Sequence, residues 1–443
     1  MKPRPIAIAV LLVCGFPVLA GAQATDSSAD PALTAFIAKI RAVDNHTHVN
    51  STAPDDSEFD ALPLDPLMPF PLPARLRPEN PDWLAADRAL YGYAHDDRSE
   101  AHMAELRAAK QRVAREQGAR FPEWVLDRIG TEVMLANRVA MGPGLAPSRF
   151  RWVSYVDALM LPLSTKAEAA ATPDRAKLYP LEDKLLRRYL SDLQVAKLPA
   201  TLDGYLRTVV TPTLERQRKG GCIAVKFEAA YLRRLDFDEV PVETAAGVYS
   251  RYAAGGEPSR AEYKALEDFL FRYIAREAGR LGMAVHVHAL ELAGPFYQAA
   301  GGDPLLLESA FNDPTLRGTN FVIVHGGGIY ASRAGAMLAK PNVYLDFSVM
   351  DLIDPPAKLA RVLEDWLLQY PEKVLFGTDA SGFGPDIGWD SAAWLGTSTA
   401  RRALAIALTD MMRNGDVSRA RAEEIATMVL RTNAGTLYKL GLR

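Results

Sequence analysis

The chain has 443 residues, a formal net charge of −3, and 49% hydrophobic and 24% charged residues. This balance is typical of a globular protein, and the length accommodates one large α/β barrel or two or three smaller domains. The sequence contains no basic patch interleaved with aromatic residues. A nucleic-acid partner is therefore not expected.

The first 24 residues have the pattern of a secretory signal peptide. A basic start precedes an apolar run over residues 6–20, and an Ala-Gln-Ala cleavage site follows at 22–24. Because the run is too short to span a membrane, we expect a periplasmic or secreted mature protein, residues 25–443, with no membrane segment. Cleavage also removes Cys14 and leaves Cys222 alone, which excludes an internal disulfide.

Eight short apolar runs predict the strands of the mature chain. They lie at 42–49, 132–137, 150–156, 222–227, 283–289, 321–327, 342–348 and 373–379. Most are continuous rather than alternating, as in parallel strands that are buried on both faces. Amphipathic stripes between them, such as 266–281 and 359–370, predict helices. The alternation predicts a (β/α)8 TIM barrel with helical and loop insertions after strands 1 and 3.

The insertion after strand 1 covers residues 50–130 and begins with a proline-rich stretch. Proline breaks regular elements, so a loop is expected first and a helix only around 97–118. We expect this insertion to lie over the catalytic face and to form part of the pocket wall. Trp83, Tyr91 and Tyr93 are candidates to line the pocket, with plain packing as the alternative.

Five of the seven histidines lie at predicted strand ends. In a (β/α)8 barrel the reactive groups lie at the C-terminal ends of the strands. Side chains at i and i+2 of a strand share a face, so His46 and His48 point the same way. Imidazole and carboxylate suit Zn²⁺ and similar divalent ions, and zinc is the expected cofactor. The candidate residues at the predicted strand ends are His46, His48, Lys226, His286, His288, His325 and Asp379.

Lys226 is an unusual member of such a set, because an ammonium repels a cation and cannot ligate it. One alternative is that Lys226 reacts with CO₂ to form a carbamate whose two oxygens bridge two metal ions. A second is that it stays cationic beside the metal and binds a substrate anion. A third is a structural ion pair with Glu228 on the same strand face. One or two metal ions therefore remain open.

The motifs together resemble the amidohydrolase superfamily. They are HTH on strand 1, VKF on strand 4, VHVHA on strand 5, IVHGGG on strand 6 and LFGTDA on strand 8. The order His-x-His, Lys, His, His, Asp is that of the two-metal members. NVYLDFS and the closing LRTNAGTLYKL resemble the amidohydrolase-related group, which also contains decarboxylases and lactonases. The resemblance covers about residues 40–443 and is weakest in 50–130 and 157–220.

The resemblance implies two metal positions joined by the carboxylated strand 4 lysine. The more buried ion is held by His46, His48 and Asp379, and the second ion by His288 and His325. Asp379 also handles the proton, so Asp379 and the strand 4 lysine are the expected catalytic residues. The other strand 5 histidine is expected one layer deeper in the barrel.

The segment EAAYLRRL after strand 4 is similar to an AYR stretch in relatives that bind acidic substrates. Tyr231 and Arg233 are therefore candidate substrate contacts, although Leu232 intervenes between them. Asp346, at the end of strand 7, is expected to be either a substrate contact or a helix cap.

The resemblance implies an exported metal-dependent hydrolase of a small molecule. Metal-activated water would attack an amide, ester or lactone, with Asp379 as the acid–base group. The alternatives are a decarboxylase with a single metal ion and a non-catalytic periplasmic binding protein. Neither the substrate nor a homo-oligomeric assembly is specified by the sequence.

Overall fold

The computed structural model describes residues 29–51, 56, 58–290 and 294–442 of the chain. The predicted signal peptide, with Cys14, lies outside the described residues. Within these ranges, no helix has the length and apolar character needed to cross a bilayer.

Eight parallel strands form one sheet in chain order. They are β1 (Ala42–Thr47), β2 (Thr131–Asn137), β3 (Phe150–Tyr155), β4 (Cys222–Phe227), β5 (Ala284–His288), β6 (Phe321–Val324), β7 (Val343–Asp346) and β8 (Val374–Leu375). The N–H of Asp379 donates to the carbonyl of His46 at 2.7 Å, and the N–H of His48 donates to that of Ala380 at 2.9 Å. These bonds draw the chain after β8 against β1, so the sheet forms a nearly closed barrel. The predicted (β/α)8 fold is confirmed.

Seventeen helices in the described ranges connect and flank the strands. They are α1 (Pro31–Lys39), α2 (Asp82–Tyr91), α3 (Glu100–Gln117), α4 (Phe121–Ile129), α5 (Lys166–Ala169), α6 (Pro173–Asp192), α7 (Leu202–Tyr205), α8 (Thr211–Lys219), α9 (Val242–Tyr252), α10 (Arg260–Arg280), α11 (Glu308–Phe311), α12 (Ala331–Met337), α13 (Met350–Ile353), α14 (Pro356–Leu367), α15 (Trp389–Asn414), α16 (Arg419–Thr427) and α17 (Asn433–Leu437). The insertion after β1 contains α2 to α4, and the insertion after β3 contains α5 to α8.

All eight predicted strands exist, but several end earlier than the apolar runs predict. β6 ends at Val324, because His325 and the glycines that follow adopt positive φ. β8 is only two residues long, and Asp379 lies four residues beyond its end with a φ of 56°. His325 and Asp379 are therefore carried by left-handed backbone just after the strands and not by the strands themselves.

The three aromatic residues proposed to line the pocket have packing roles instead. Trp83 is fully buried in a hydrophobic cluster with Val125 and Leu126. Tyr91 and Tyr93 belong to a second cluster within the insertion. The plain-packing alternative therefore describes these side chains.

Hydrophobic side chains fill the barrel on the N-terminal side of the polar strand ends. Val43, Ala224 and Val322 belong to one buried cluster, and Tyr438 from the C-terminal segment packs against it. Ala224 precedes Lys226 by two residues on the same strand. The polar groups therefore lie above an apolar floor that the C-terminal segment helps to close.

Candidate metal centre

Three predicted ligands on β1 and after β8 converge on one point. His46 Nε2 and His48 Nε2 lie 3.1 and 3.3 Å from the same oxygen, Asp379 Oδ1. One ligand atom from each of the three residues lies within 4.8 Å of the others. Lys226 Nζ lies 3.1 Å from His46 Nε2. The strand 4 lysine therefore adjoins this triad directly.

His288 and His325 form a second group of nitrogens beside the first. His288 Nδ1 and His325 Nε2 are 3.1 Å apart. The rings of His325 and His46 have centroids 5.1 Å apart, which places the pair next to the triad. His288 Nε2 is buried and has no hydrogen-bond partner. The side chains of all six predicted ligands thus lie next to one another at the strand ends.

The pKa shifts of three of the four histidines favour the neutral form, whereas, although burial opposes it, the hydrogen bond with Asp379 raises the pKa of His48. Burial lowers the pKa of His46, His288 and His325 well below the ordinary imidazole value, and the charge of Lys226 acts in the same direction. Metal binding requires such neutral imidazoles together with ionised carboxylates. Although burial opposes it, the surrounding histidines and the lysine lower the pKa of Asp379 to about 2. Asp379 Oδ1 has the Nε2 atoms of His46 and His48 as close neighbours, the arrangement of three ligand atoms around one point.

Lys226 is fully buried within the site. Burial lowers the pKa of its ammonium, although the charges of Glu228 and Asp379 act to raise it. A lowered pKa favours the neutral amine, which is the form that reacts with CO₂. Glu228 Oε2 has no hydrogen-bond partner, so the predicted pairing of Lys226 with Glu228 acts through charge alone.

Polar residues at the ends of β2 and β3 contact the Nδ1 atoms of His46 and His48. Asn137 Nδ2 lies 2.8 Å from His46 Nδ1, and the Tyr155 hydroxyl lies 3.1 Å from His48 Nδ1. Such partners fix the orientation of a ligating ring. Neither residue is among those predicted for the site, although each lies at the C-terminal end of a predicted strand.

Asp346 organises the surroundings of His325. Its Oδ1 accepts the hydroxyl of Ser348 at 2.6 Å and the backbone N–H of His325 at 2.9 Å. Its Oδ2 accepts the side-chain amide of Asn45 at 2.6 Å. Because the Ser348 hydroxyl donates to Asp346, it accepts from His325 Nδ1 at 2.9 Å. This arrangement makes Nδ1 the protonated nitrogen of His325, so that Nε2 carries the lone pair that faces His288 Nδ1 and could bind a cation.

His286 lies deeper in the barrel than His288. Its Nε2 donates to the Tyr438 hydroxyl at 2.7 Å, and that hydroxyl in turn donates to Asn45. Burial lowers the pKa of His286 to about 3, so the ring is neutral. His286 therefore links the ligand layer to the C-terminal segment.

The two residues proposed as substrate contacts have different positions. The ring of Tyr231 lies 4.5 Å from that of His288, at the edge of the site. Arg233 instead donates to Glu267 and Asp268 of α10, at 2.7 Å each, and its side chain is 9% exposed. The prediction of Arg233 as a substrate contact is corrected, because a guanidinium neutralised by two buried carboxylates has no donors directed at the cavity.

The barrel and its converging ligands define a protein of the metal-dependent (β/α)8 class. The family model for amidohydrolases matches residues 244–440, which carry His288, His325 and Asp379. Over this part of the chain, the match confirms the resemblance to amidohydrolases that the motifs predict. No curated protein matches the chain significantly.

Three solved structures share the fold. A Lactobacillus casei protein described as a metal-dependent hydrolase has 16% identity and a TM-score of 0.58, with 93% of this chain and 99% of that chain covered. Glucuronate isomerase from Caulobacter crescentus has 14% identity and a TM-score of 0.63, covering 93% and 94%. Uronate isomerase from Thermotoga maritima has 14% identity and a TM-score of 0.55, covering 92% and 96%. At these identities the likeness shows the fold alone.

Proposed function

We propose that the protein is a metal-dependent hydrolase that cleaves an amide, ester or lactone bond of a small molecule. The observation that carries this proposal is the buried Lys226, which adjoins the His46 triad at 3.1 Å beside a separate imidazole pair. Two neighbouring groups of ligands with a carboxylatable lysine fit two metal ions better than one.

The residues that would hold the ions follow from the geometry. His46, His48 and Asp379 would hold one ion, and His288 and His325 a second, with carboxylated Lys226 shared between them. The mixed nitrogen and oxygen donor set suits Zn²⁺. Divalent ions held in this way supply Lewis acidity and make hydroxide available near neutral pH.

Asp379 is the group that moves the proton. With a pKa lowered to about 2 it is ionised at neutral pH, so a lone pair is available where the attacking water would lose its proton. It passes this proton to the leaving group. The Tyr155 hydroxyl contacts Nδ1 of His48 and fixes the orientation of the ring. Nε2 of His48 lies 3.3 Å from Asp379 Oδ1 and so positions the carboxylate.

A decarboxylase with a single metal ion is the second candidate. The compact triad of His46, His48 and Asp379 suffices for one ion, which favours this alternative. The buried Lys226 argues against it, because a single ion needs no bridging ligand.

The test is a screen of amides, esters, lactones and aryl carboxylic acids, followed by Asp379→Asn on the substrate that emerges. Asparagine keeps the shape and one ligating oxygen but cannot accept the proton, so kcat should fall by at least about 10². Asp183→Asn, on the outer face of α6, is the matched control and should retain wild-type turnover. Release of CO₂ without hydrolysis, or near wild-type turnover of Asp379→Asn, would contradict the proposal.

We also propose that the enzyme is exported, on the strength of the N-terminal pattern of residues 1–24. N-terminal sequencing of the protein from the periplasm or medium should then begin at Thr25. A cytoplasmic product that begins at Met1 would refute export and leave the hydrolase proposal intact.

A further inference from the structure

A cavity of about 240 Å³ lies outside the barrel, between β3 and the helices α6 and α8. Its lining includes Trp152 of β3, Leu193 directly after α6 and Gln217 of α8. Successive residues of a strand face opposite sides, and Val153 belongs to the apolar cluster inside the barrel. Trp152 therefore points outward, away from the candidate metal centre, and none of the predicted metal ligands borders the cavity.

Gln217 is the unusual residue of this cavity. It is 4% exposed, yet within the part of the chain that the structure describes neither its Nε2 nor its Oε1 has a hydrogen-bond partner. Buried polar atoms are nearly always paired, because an unpaired donor or acceptor away from water is unfavourable. A buried amide with both of its polar atoms unpaired beside an open space indicates that its partner is a molecule in that space.

The neighbouring polar side chains of the lining already have partners. The Tyr189 hydroxyl donates to a backbone carbonyl of β3 at 2.6 Å. The Thr213 hydroxyl donates to a carbonyl of the preceding helical turn at 2.7 Å, and the indole N–H of Trp152 donates to a carbonyl after β2 at 2.8 Å. Gln217 is therefore the side chain that offers hydrogen bonds to a ligand in the inner part of the cavity.

The surroundings of Gln217 favour a flat ring as that ligand. The six-membered ring of Trp152 lies against the backbone at Gly220, where a Cβ atom would come within 3.1 Å of it. This contact and the hydrogen bond of the indole N–H hold the indole in place. Val139 and Leu193 add apolar surface to the lining. A fixed indole with apolar neighbours suits a planar ring, which stacks on the aromatic system.

Two arginines mark the opening of the cavity to solvent. The side chains of Arg188 and Arg216 are 39% and 60% exposed, whereas Gln217 is buried. Arg188 is paired with Glu58, and Arg216 lies 3.7 Å from Asp192. Because an acid lies beside each guanidinium, the entrance carries little net charge. A neutral ligand therefore suits this entrance better than an ion.

We propose that this cavity is a second ligand site, which binds a flat neutral ring with a lactam edge, that is, a ring N–H next to a ring carbonyl. The ring N–H would donate to Gln217 Oε1 and the ring carbonyl would accept from Gln217 Nε2, so that one molecule satisfies both atoms. A carboxylate would leave Oε1 unpaired, and an aromatic hydrocarbon would leave both atoms unpaired. The proposal is independent of the hydrolase function, because no metal ligand takes part in it.

Calorimetric titration of the metal-loaded protein with 2-pyridone and with N-methyl-2-pyridone tests the proposal. The two compounds share the ring and the carbonyl, but the methyl group removes the donor. We expect 2-pyridone to bind at one site per chain and N-methyl-2-pyridone to bind at least about ten-fold more weakly, because a site with an unpaired acceptor discriminates against a ligand that lacks the donor. Equal affinities would overturn the proposal. Absence of 2-pyridone binding at millimolar concentration would assign the cavity to water and overturn it as well.

Variants locate the binding. Gln217→Met removes both polar atoms and keeps the length of the side chain, so the affinity for 2-pyridone should fall at least about ten-fold. The free energy of unfolding should not decrease, because no hydrogen bond among the described residues is lost. Gln111→Met, at an exposed position of α3, is the matched control and should bind like wild type. If Gln217→Met does not fold, the comparison of the two pyridones on wild-type protein still decides.

One further outcome separates this cavity from the candidate metal centre. Binding of 2-pyridone that persists in Gln217→Met and is lost in His48→Asn would assign the ligand to the metal centre and overturn the second site. Binding that is lost in Gln217→Met and retained in His48→Asn supports the second site, whatever reaction the metal centre performs.

Discussion

Replacing Asp157 by asparagine is expected to stabilise the protein, and more so at alkaline than at acid pH. Burial raises the pKa of Asp157 from 3.8 to about 7. A raised carboxyl pKa contributes stability that is complete below about pH 4 and is lost as the pH rises through 7. At 1.36 kcal/mol per pKa unit, the ionised carboxylate costs about 4 kcal/mol above pH 7. Asparagine carries no charge, so this destabilisation is absent in the variant. Its side-chain oxygen can still accept the backbone N–H of Glu228.

Urea unfolding of metal-free protein at pH 5 and pH 8 measures the effect. The advantage of Asp157→Asn over wild type should grow by about 3 kcal/mol between the two values, because about two pKa units of the shift lie in this window. Asp183→Asn, half-exposed and paired with Arg187, is the control and should stay within about 0.5 kcal/mol at both values. An advantage of Asp157→Asn that is independent of pH, or that falls as the pH rises, would refute the reasoning.

Three further outcomes are expected. Ser348→Ala removes the hydroxyl that lies 2.9 Å from His325 Nδ1 and leaves only the Ser348 carbonyl at 3.3 Å, so metal affinity should fall by about 10–100-fold in a chelator competition. Unchanged affinity would show that the hydroxyl does not orient the ring. Arg233→Ala leaves Glu267 buried without its cation and Asp268 with Lys264 alone, and should destabilise the fold by about 3–5 kcal/mol in urea unfolding, with KM unchanged in the folded fraction. A rise in KM without loss of stability would instead support Arg233 as a substrate contact. Chelation of the metal-loaded protein should lower the unfolding temperature and zinc should restore it, and a temperature insensitive to both would argue against a resident ion.

The barrel could be predicted because its strands are buried on both faces and read as continuous apolar runs. The ligand positions followed from the same frame, since the C-terminal ends of parallel strands converge. His46 and Lys226 are separated by 180 residues in sequence, yet they meet because each lies at such an end. Strand periodicity and residue chemistry together were sufficient for this part of the site.

The remaining parts depend on contacts that no local pattern contains. Arg233 follows a strand that carries a ligand, but its direction is set by two acids on α10. Asp346 acts through Asn45, 301 residues away, and through a serine two positions on. Glu182 on α6 is buried with its Oε2 unpaired, which the amphipathic pattern of the helix does not indicate. Tertiary packing determines such pairings, and the periodicity of apolar residues in the sequence does not predict them.

The metal content of the protein tests the central claim most directly. Wild-type protein loaded with Zn²⁺ in the presence of bicarbonate should contain close to two metal ions per chain by elemental analysis. Lys226→Ala should contain one or fewer, because the shared carbamate is lost, while Lys358→Ala, an exposed lysine, should match wild type. A single ion in the wild type that persists unchanged in Lys226→Ala would contradict the two-metal centre and favour the decarboxylase.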